Sequence, residues 1–235
     1  MMEEHLRQVS FNGIKAETSK CNIKGTETIN VVFHLPEKRR ILSTRDGFQE
    51  VQVVGENICP MELWDYAHKN GNVFRQKVLE SLGETKRSCS LLFTGADPRQ
   101  WALEVKHNEL MVFLTVDFRT NAMRAGYDRP KGKRFRNQGT INIFLFTLNN
   151  LSDGAITRSI ITATEAKCAA LQDQSIKSSY NEKLTATGTG TDNIIIVPGI
   201  GEKIKLLRGH SPLSLAIGES VLSAMKAAIH GHFLS

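Results

Sequence analysis

Two short apolar runs, with one helix between them and a polar loop before the second, constrain this chain most. The runs are Ile141 to Phe146 and Ile194 to Val197, each of a length typical of a buried strand. Between them, residues 153–172 have the apolar spacing of a helix, and Ser152 is placed to cap it. The glycine-threonine loop 186–192 leads into the second run. Two strands and one helix predict a core with this loop at its edge.

The remaining segments predict more strands and helices, without regular strand–helix–strand repeats. Asp46-Gly47 is a hairpin signal, and residues 109–118 are apolar on both faces, which is typical of a central strand. Asp97-Pro98 predicts a short helix that carries Trp101 and Val105. The other predicted strands are 31–33 and 40–43, joined by a turn at 36–38, then 48–54 and 90–94; the other predicted helices are 61–68, 73–82 and 213–229. We therefore expect an α+β fold in which a mixed β-sheet is layered with helices.

Domain organisation follows from the same patterns. Residues 1–30 are polar and weakly patterned, so we expect an N-terminal arm or edge strands there. Residues 31–235 then form one domain, since neither a linker nor an internal repeat interrupts them.

Composition bounds the class of protein. The net charge of +6 suits an anionic ligand or a basic patch but does not indicate nucleic-acid binding. The four cysteines are widely spaced, which favours reduced thiols over a zinc site or disulfides. We find neither a signal peptide nor a run of the ~20 apolar residues that a membrane span needs. We expect a cytoplasmic protein with no membrane or nucleic-acid partner, and a homo-oligomer is possible.

Lys167 is unusual because it projects from the apolar face of the predicted helix 153–172. Burying an ammonium group is costly unless it is paired. One interpretation is that its long stem carries the charge to the protein surface. The other is that it pairs with a carboxylate of the site, for which Asp192 is the first candidate. The small residues on both sides of this helix allow both faces to be covered, which would also bury Glu165.

The loop 186–192 offers three threonine hydroxyls and glycines that let a ligand approach the backbone. It is not a nucleotide-hydrolysing P-loop, because it precedes a strand and lacks the lysine of that motif. Asp192 has an ordinary alternative role, which is to accept local N–H groups. Two weaker signals are present. The basic run 131–136 is either a phosphate site or a solvated charge run. His230 and His232 are a weak signal for a metal site.

Several segments in series resemble the adenosylcobinamide amidohydrolases of corrinoid salvage. They are Leu91 to Asp97, Thr120 to Gly126, Gly139 to Ile143, Leu151-Ser152, Thr162 to Lys167 and Ala186 to Asp192. Two departures from the family pattern lie at Asp46-Gly47-Phe48 and at Asp117-Phe118-Arg119, and they concern substrate scope more than fold. The resemblance implies hydrolysis of the amide between the corrin ring and its aminopropanol arm.

Roles for individual residues come from the chemistry of amide hydrolysis, which needs a base, an oxyanion donor and an acid. We expect Glu165 or Asp192 to be the base and Lys167 to tune that carboxylate or protonate the amine. A threonine nucleophile is the rival mechanism. The residues expected to bind substrate are Asn121, Arg124, Asn142, Thr164, Thr187, Thr189 and Thr191.

The resemblance implies no resident cofactor, because the cobalt belongs to the corrinoid substrate. A divalent ion held by Glu165 and Asp192 is the alternative. A different class of function, a carrier or sensor that binds a corrinoid or nucleotide without hydrolysis, would keep the same cleft.

Overall fold

A mixed β-sheet with helices on its outer faces forms the body of the protein. We describe it from a computed structural model, in which residues 2, 6, 9, 11–96, 101–106, 109–129 and 139–231 are described. The strands are β1 (Lys15–Ile23), β2 (Thr26–Ser43), β3 (Gly47–Ile58), β4 (Cys89–Thr94), β5 (Trp101–Lys106), β6 (Leu110–Val116), β7 (Ala122–Met123), β8 (Ile141–Thr147), β9 (Asn150–Leu151), β10 (Gly188–Thr189), β11 (Asn193–Val197) and β12 (Lys203–Ile204). The helices are α1 (Met61–Lys69), α2 (Gly71–Ser81), α3 (Asp153–Asp173) and α4 (Pro212–His230). The expected α+β fold is confirmed.

The main sheet has the strand order β4-β3-β2-β11-β8-β6-β5, and β1 also pairs with β2. The two apolar runs, 141–146 and 194–197, are neighbours, because β8 and β11 pair in parallel with Ile195 opposite Phe144. The strand predicted to be central, β6, lies between β8 and β5 and is buried along its whole length. The hairpin signal at Asp46-Gly47 is confirmed, since β2 and β3 meet there in antiparallel register.

The sheet curls around an aromatic interior. The ring of Phe33 on β2 lies 5.2 Å from that of Phe113 on β6, and 5.9 and 4.9 Å from those of Phe144 and Phe146 on β8. All four side chains are fully buried. Tilted aromatic contacts at these distances are favourable and fill the interior densely. The curl therefore brings strands together that are far apart in the strand order.

Two pairs of helices cover the outer faces of the sheet. Helices α3 and α4 pack their buried faces on β5, β6, β8 and β11, and α1 and α2 pack near β1, β3 and β4. By length and composition alone α4 is apolar enough to cross a membrane, contrary to the expectation from the sequence. Its buried apolar residues, among them Leu213, Ile217 and Val221, belong to the core cluster formed with the sheet and α3. Ser152 caps α3 as predicted, accepting a hydrogen bond from the Ala155 N–H.

Two local predictions are wrong. Residues 26–43 form one strand rather than two, and Pro36 lies where the register jumps from His34 opposite Val53 to Arg39 opposite Val51. Proline has no N–H to donate, so a sheet tolerates it at such an irregularity. The segment from Trp101 is a strand and not a helix, because antiparallel pairing with β6 satisfies its backbone groups.

Three features predicted from the sequence lie outside the described residues: Asp97-Pro98, the basic run 131–136 and His232. His230 lies at the end of α4, and its ring is 2.7 Å from Gln174 Oε1.

Phe33→Ala should lower the free energy of unfolding by about 3–5 kcal/mol, because it empties the centre of the aromatic interior. Leu215→Ala is the control, since Leu215 is exposed on α4 and should change stability by less than about 0.5 kcal/mol. Urea unfolding followed by circular dichroism measures both. Equal losses in the two variants would contradict the packing described for Phe33.

Candidate active site

A cleft of about 800 Å³ opens beside the end of the curled sheet. One side, which we call the aromatic wall, consists of Trp64, His68, Phe74 and Phe93. The other side, the polar wall, consists of Asn121, Thr140, Tyr180, Gly190, Thr191 and Asp192. Its volume is typical of ligand pockets, which measure ~300–1,000 Å³. The cleft thus combines a surface suited to a ring system with one suited to hydrogen bonding.

Asp192 of the polar wall forms a largely buried ion pair with Lys167, which does not itself line the cleft. The Lys167 Nζ lies 2.5 Å from the Asp192 Oδ2, and Lys167 is 7% exposed. Of the two interpretations of this lysine, pairing with Asp192 is therefore the one that the structure shows. The lysine comes from the middle of α3 and the aspartate from the loop before β11, so the pair fixes the loop to the helix.

Asp192 also collects hydrogen bonds from its own loop and from β8. Its Oδ1 accepts from the Thr189 hydroxyl at 2.5 Å and from the Ile141 N–H at 3.2 Å, and the Thr189 N–H lies 3.0 Å from Oδ2. With Lys167, four donor groups converge on one carboxylate. Such donors stabilise its negative charge and hold it in a single orientation.

Gly188 is needed where the loop crosses this pair. A Cβ at Gly188 would lie 2.2 Å from Asp192 Oδ2 and 2.6 Å from Lys167 Nζ. Neither contact is possible without moving the pair, so any side chain here displaces it. The glycines of this loop therefore allow the backbone to approach an ion pair of the protein itself.

Asn121 is held in the polar wall from both ends of its amide. Its Nδ2 donates to the Gly139 carbonyl at 2.9 Å, and its Oδ1 accepts from the Tyr180 hydroxyl at 3.0 Å. The Thr191 hydroxyl donates to the same Gly139 carbonyl. Gly139 has φ of +133°, and a Cβ there would lie 2.7 Å from the Asp117 carbonyl oxygen. The backbone turn at Gly139 thus organises this wall.

The other two threonines of the loop hold it in place. The Thr187 hydroxyl accepts from the Ala125 N–H at 3.0 Å and lies 3.4 Å from the Met123 carbonyl. Thr189 bonds Asp192, as described, and accepts from the Thr191 N–H. Since β10 pairs with β7, the loop and residues 122–125 form one unit.

Asn121, Thr191 and Asp192 line the cleft, whereas the other seven residues proposed from the sequence do not: Lys167, Thr187 and Thr189, described above, and Glu165, Arg124, Thr164 and Asn142. Glu165 is exposed on α3, so the expectation that it would be buried is wrong. Among the described residues, the sheet, α4 and the loop of Thr187 and Asp192 cover the helix, and Glu165 lies outside the covered surface. Arg124 donates to the Thr185 carbonyl at 3.3 Å, Thr164 is half-buried on α3, and Asn142 is fully buried beneath the cleft.

The two departures from the family pattern hold arginines near the cleft. The Asp46 carboxylate accepts hydrogen bonds from both terminal nitrogens of Arg75, at 2.7 and 2.6 Å. Arg45, the residue before Asp46, lines the cleft. Burial, with the charge of Arg75, lowers the pKa of Arg45. Asp117 is fully buried, and its carboxylate accepts hydrogen bonds from the Arg119 guanidinium at 3.0 and 2.7 Å. Each departure therefore contributes an aspartate that fixes an arginine near the cleft, whereas Phe48 packs under Arg40 and does not line it.

A buried carboxylic acid beneath the cleft was missed from the sequence. Glu56 Oε2 accepts from the Thr115 hydroxyl at 3.0 Å and from Asn142 Nδ2 at 2.8 Å, whereas its buried Oε1 has no hydrogen-bond partner among the described residues. Burial raises the pKa of Glu56 to about 7, and the two hydrogen bonds oppose that rise. The available signal was a charged residue close to the apolar pair Val53-Val54 of β3.

The aromatic wall was missed as well, because its members come from three elements: α1, α2 and β4. The signal in the sequence was the spacing of Trp64 and His68, which lie one turn apart on a helix and whose rings are 4.5 Å apart.

The ion pair predicts a specific effect of Gly188→Ala. Because the methyl group overlaps Asp192 and Lys167, we expect a loss of about 1–3 kcal/mol in the free energy of unfolding. Gly154→Ala, at the start of α3, meets only Ser152 Oγ at 3.9 Å and should be neutral or slightly stabilising. Urea titrations of the two variants decide, and a Gly188→Ala protein as stable as the control would refute the described pair.

Glu56 predicts a pH dependence of stability. Between its ordinary pKa of 4.5 and about 7, the folded protein binds one more proton than the unfolded chain. Its contribution to stability therefore falls as pH rises through that window, by about 3 kcal/mol in total, and is constant above it. Glu56→Gln should remove this slope, so its gain over wild type grows from pH 5 to pH 8. Glu50→Gln is the control, because Glu50 is exposed on the same strand. Urea unfolding at each pH gives the free energy of unfolding. Identical slopes of that free energy against pH in all three proteins would contradict this titration of Glu56.

Comparison with known proteins gives the family. Residues 15–233 match the adenosylcobinamide amidohydrolase family. An uncharacterized protein of Methanocaldococcus jannaschii is 37% identical over 221 residues, covering 86% of this chain and 85% of the relative. The crystal structure of the PH0078 protein from Pyrococcus horikoshii OT3 has a TM-score of 0.43 and 11% identity, covering 94% of this chain and 84% of that one. This chain belongs to the adenosylcobinamide amidohydrolase family.

Proposed function

We propose that this protein hydrolyses the amide bond between the corrin ring and the aminopropanol arm of adenosylcobinamide. The products are adenosylcobyric acid and 1-amino-2-propanol, and the reaction serves corrinoid salvage. The observation that carries the proposal is the Lys167–Asp192 pair at the wall of the cleft, in a chain of this family. Among the described residues that line the cleft, Asp192 is the only carboxylate.

In this mechanism Asp192 takes the proton from the attacking water. The water oxygen bonds to the amide carbon, the C–N bond breaks, and the proton passes to the leaving nitrogen. Lys167 keeps Asp192 oriented and balances its charge. The second N–H of the Asn121 side-chain amide, beside the one that donates to Gly139, donates to the oxyanion. One well-placed donor of this kind contributes ~3 kcal/mol. This assignment replaces Glu165, which is exposed on α3.

Thr189 is the alternative nucleophile. A threonine needs an adjacent base, and the Thr189 hydroxyl lies 2.5 Å from Asp192 Oδ1. Thr187 has no such neighbour in its hydrogen bonds, which go to Ala125 and Met123. Attack by Thr189 would leave an ester to the corrinoid on the protein, whereas attack by water would not. Mass spectrometry of protein quenched during turnover separates the two mechanisms.

Cys168 fits neither role. Burial raises the pKa of its thiol, and its Sγ contacts the Thr187 carbonyl. The small thiolate fraction makes it a poor nucleophile.

We propose that hydrolysis uses no resident metal. Among the described residues, no group of three or more His, Cys, Asp or Glu side chains is placed to hold one. Glu165 is exposed on α3, whereas Asp192 lines the cleft and already accepts hydrogen bonds from four donor groups. The two carboxylates are therefore not arranged as ligands of one metal ion. EDTA should therefore leave the rate of corrinoid hydrolysis unchanged.

Asp192→Asn and Lys167→Met should each lower kcat by about 10²-fold or more, because each removes one member of the pair. The matched control is Asp173→Asn, which breaks an exposed ion pair between α3 and α4, 2.6 Å from Lys226. Turnover of adenosylcobinamide, followed by mass spectrometry of the corrinoid, gives the rates. Glu165→Gln should keep full activity, and its loss would return that residue to the role expected from the sequence.

The same assay tests the alternative class. Wild-type protein that binds adenosylcobinamide tightly and leaves its mass unchanged would be a carrier or sensor, which contradicts the proposal.

A further inference from the structure

We propose that the aromatic wall and Arg45 bind a flat conjugated ring of the substrate, so that the scissile amide meets Asp192 across the cleft. This inference rests on the proposed function, and it adds how the substrate is recognised. Two parts of adenosylcobinamide have the required chemistry: the adenine of the adenosyl group and the conjugated corrin macrocycle.

The rings of the aromatic wall are fixed before any ligand arrives. Trp64 and His68 lie 4.5 Å apart, and Phe74 and Phe93 lie 5.6 Å apart. Trp64 rests on the backbone at Gly95, where a Cβ would come within 2.8 Å of the indole ring. A preorganised ring surface loses little conformational entropy when it binds a ligand. The wall is therefore built as a stacking surface, and the glycine that follows β4 makes room for it.

Arg45 extends this surface with a charge. Its guanidinium lies 5.0 Å from the centre of the Phe93 ring, in the geometry of a cation–π contact. The neighbouring carboxylate of Asp46 is bound by Arg75 at 2.7 and 2.6 Å, whereas Arg45 is 4.0 Å from it. Asp46 is thus committed to Arg75, and Arg45 lines the cleft beside Phe93. A planar guanidinium at such a place is suited to stack on a ligand ring and to donate hydrogen bonds to it.

The polar wall has the opposite character and faces the same cleft. It carries the Asp192 carboxylate, the Asn121 amide and the Thr191 segment, which suit an amide and not a ring. A corrinoid has both kinds of group. The division of the cleft into two walls therefore orients the substrate, with its ring on Trp64 and Phe93 and its amide arm towards Asp192.

The experiment measures binding separately from turnover. Adenosylcobyric acid, the product of the proposed reaction, is dialysed to equilibrium against wild type, Trp64→Leu and Phe93→Leu, and the corrin absorbance gives Kd. Leucine keeps much of the side-chain volume and removes the π-face, and urea unfolding confirms that each variant is folded. Phe48→Leu is the matched control, because Arg40 lies 4.6 Å from that ring, outside the cleft. We expect about a tenfold rise in Kd for each cleft variant and none for the control.

A second ligand identifies the ring. The second ligand is cobyric acid with a methyl group in place of adenosyl. If adenine occupies the aromatic wall, this ligand should bind wild type about tenfold more weakly, and Trp64→Leu and Phe93→Leu should not raise its Kd further. If the corrin macrocycle occupies it, the methyl form should bind wild type equally well and the variants should still lose about tenfold. Either pattern supports the proposal. Unchanged Kd values in both cleft variants for both ligands would overturn it.

Failure of the proposed function is visible separately. Wild-type protein that binds these corrinoids but does not hydrolyse adenosylcobinamide would refute hydrolysis, while the Kd values of the variants would still decide the role of the aromatic wall. Wild-type protein that binds neither corrinoid would overturn both.

Discussion

The packing of Phe33 against three phenylalanines of β6 and β8 is the interaction on which the rest of the structure depends. It lies inside the curl of the sheet, where β3 and β4 approach β6 and β8 although several strands separate them in the sheet. At the end of this interior the apolar residues give way to Glu56, Thr115 and Asn142, which bond one another across the curl. Asn142 also donates to the Phe93 carbonyl, which ties the polar cluster to a residue of the cleft. The cleft is thus the mouth of the curled sheet.

The ion pair of Lys167 and Asp192 then determines what the cleft offers. A buried lysine on an apolar helix face would be strongly unfavourable alone, and breaking a buried pair typically costs about 3–5 kcal/mol. Here the partner, Asp192, lies in a loop with little regular structure. The ion pair therefore holds the loop in place, as hydrogen bonds between strands hold the sheet. The loop is therefore held rigidly beside the cleft, as a site that acts on an oriented bond requires.

The buried Glu56 shows that the interior of this protein is not uniformly apolar. Its raised pKa and the lack of a hydrogen-bond partner for its Oε1 among the described residues have one cause, which is that the surrounding strands exclude water. Arg119 and Arg75 are each committed to a nearby aspartate. Neither arginine pairs with Glu56, which is left to be neutralised by a proton.

The sequence by itself determined much of this protein. Strand and helix periodicity gave the α+β class, and local residue chemistry gave the cap Ser152 and the hairpin at Asp46-Gly47, because these depend on neighbours along the chain. A lysine on an apolar helix face and an aspartate at the end of a glycine-threonine loop pointed to their pairing, because a buried charge needs a partner. Only the tertiary structure decided that Glu165 is exposed, that residues 101–106 form a strand, and that Trp64, Phe93 and Asp192 line one cleft. Those three outcomes depend on how the sheet curls, and the curl arises from contacts between residues far apart in the chain, which no local pattern records.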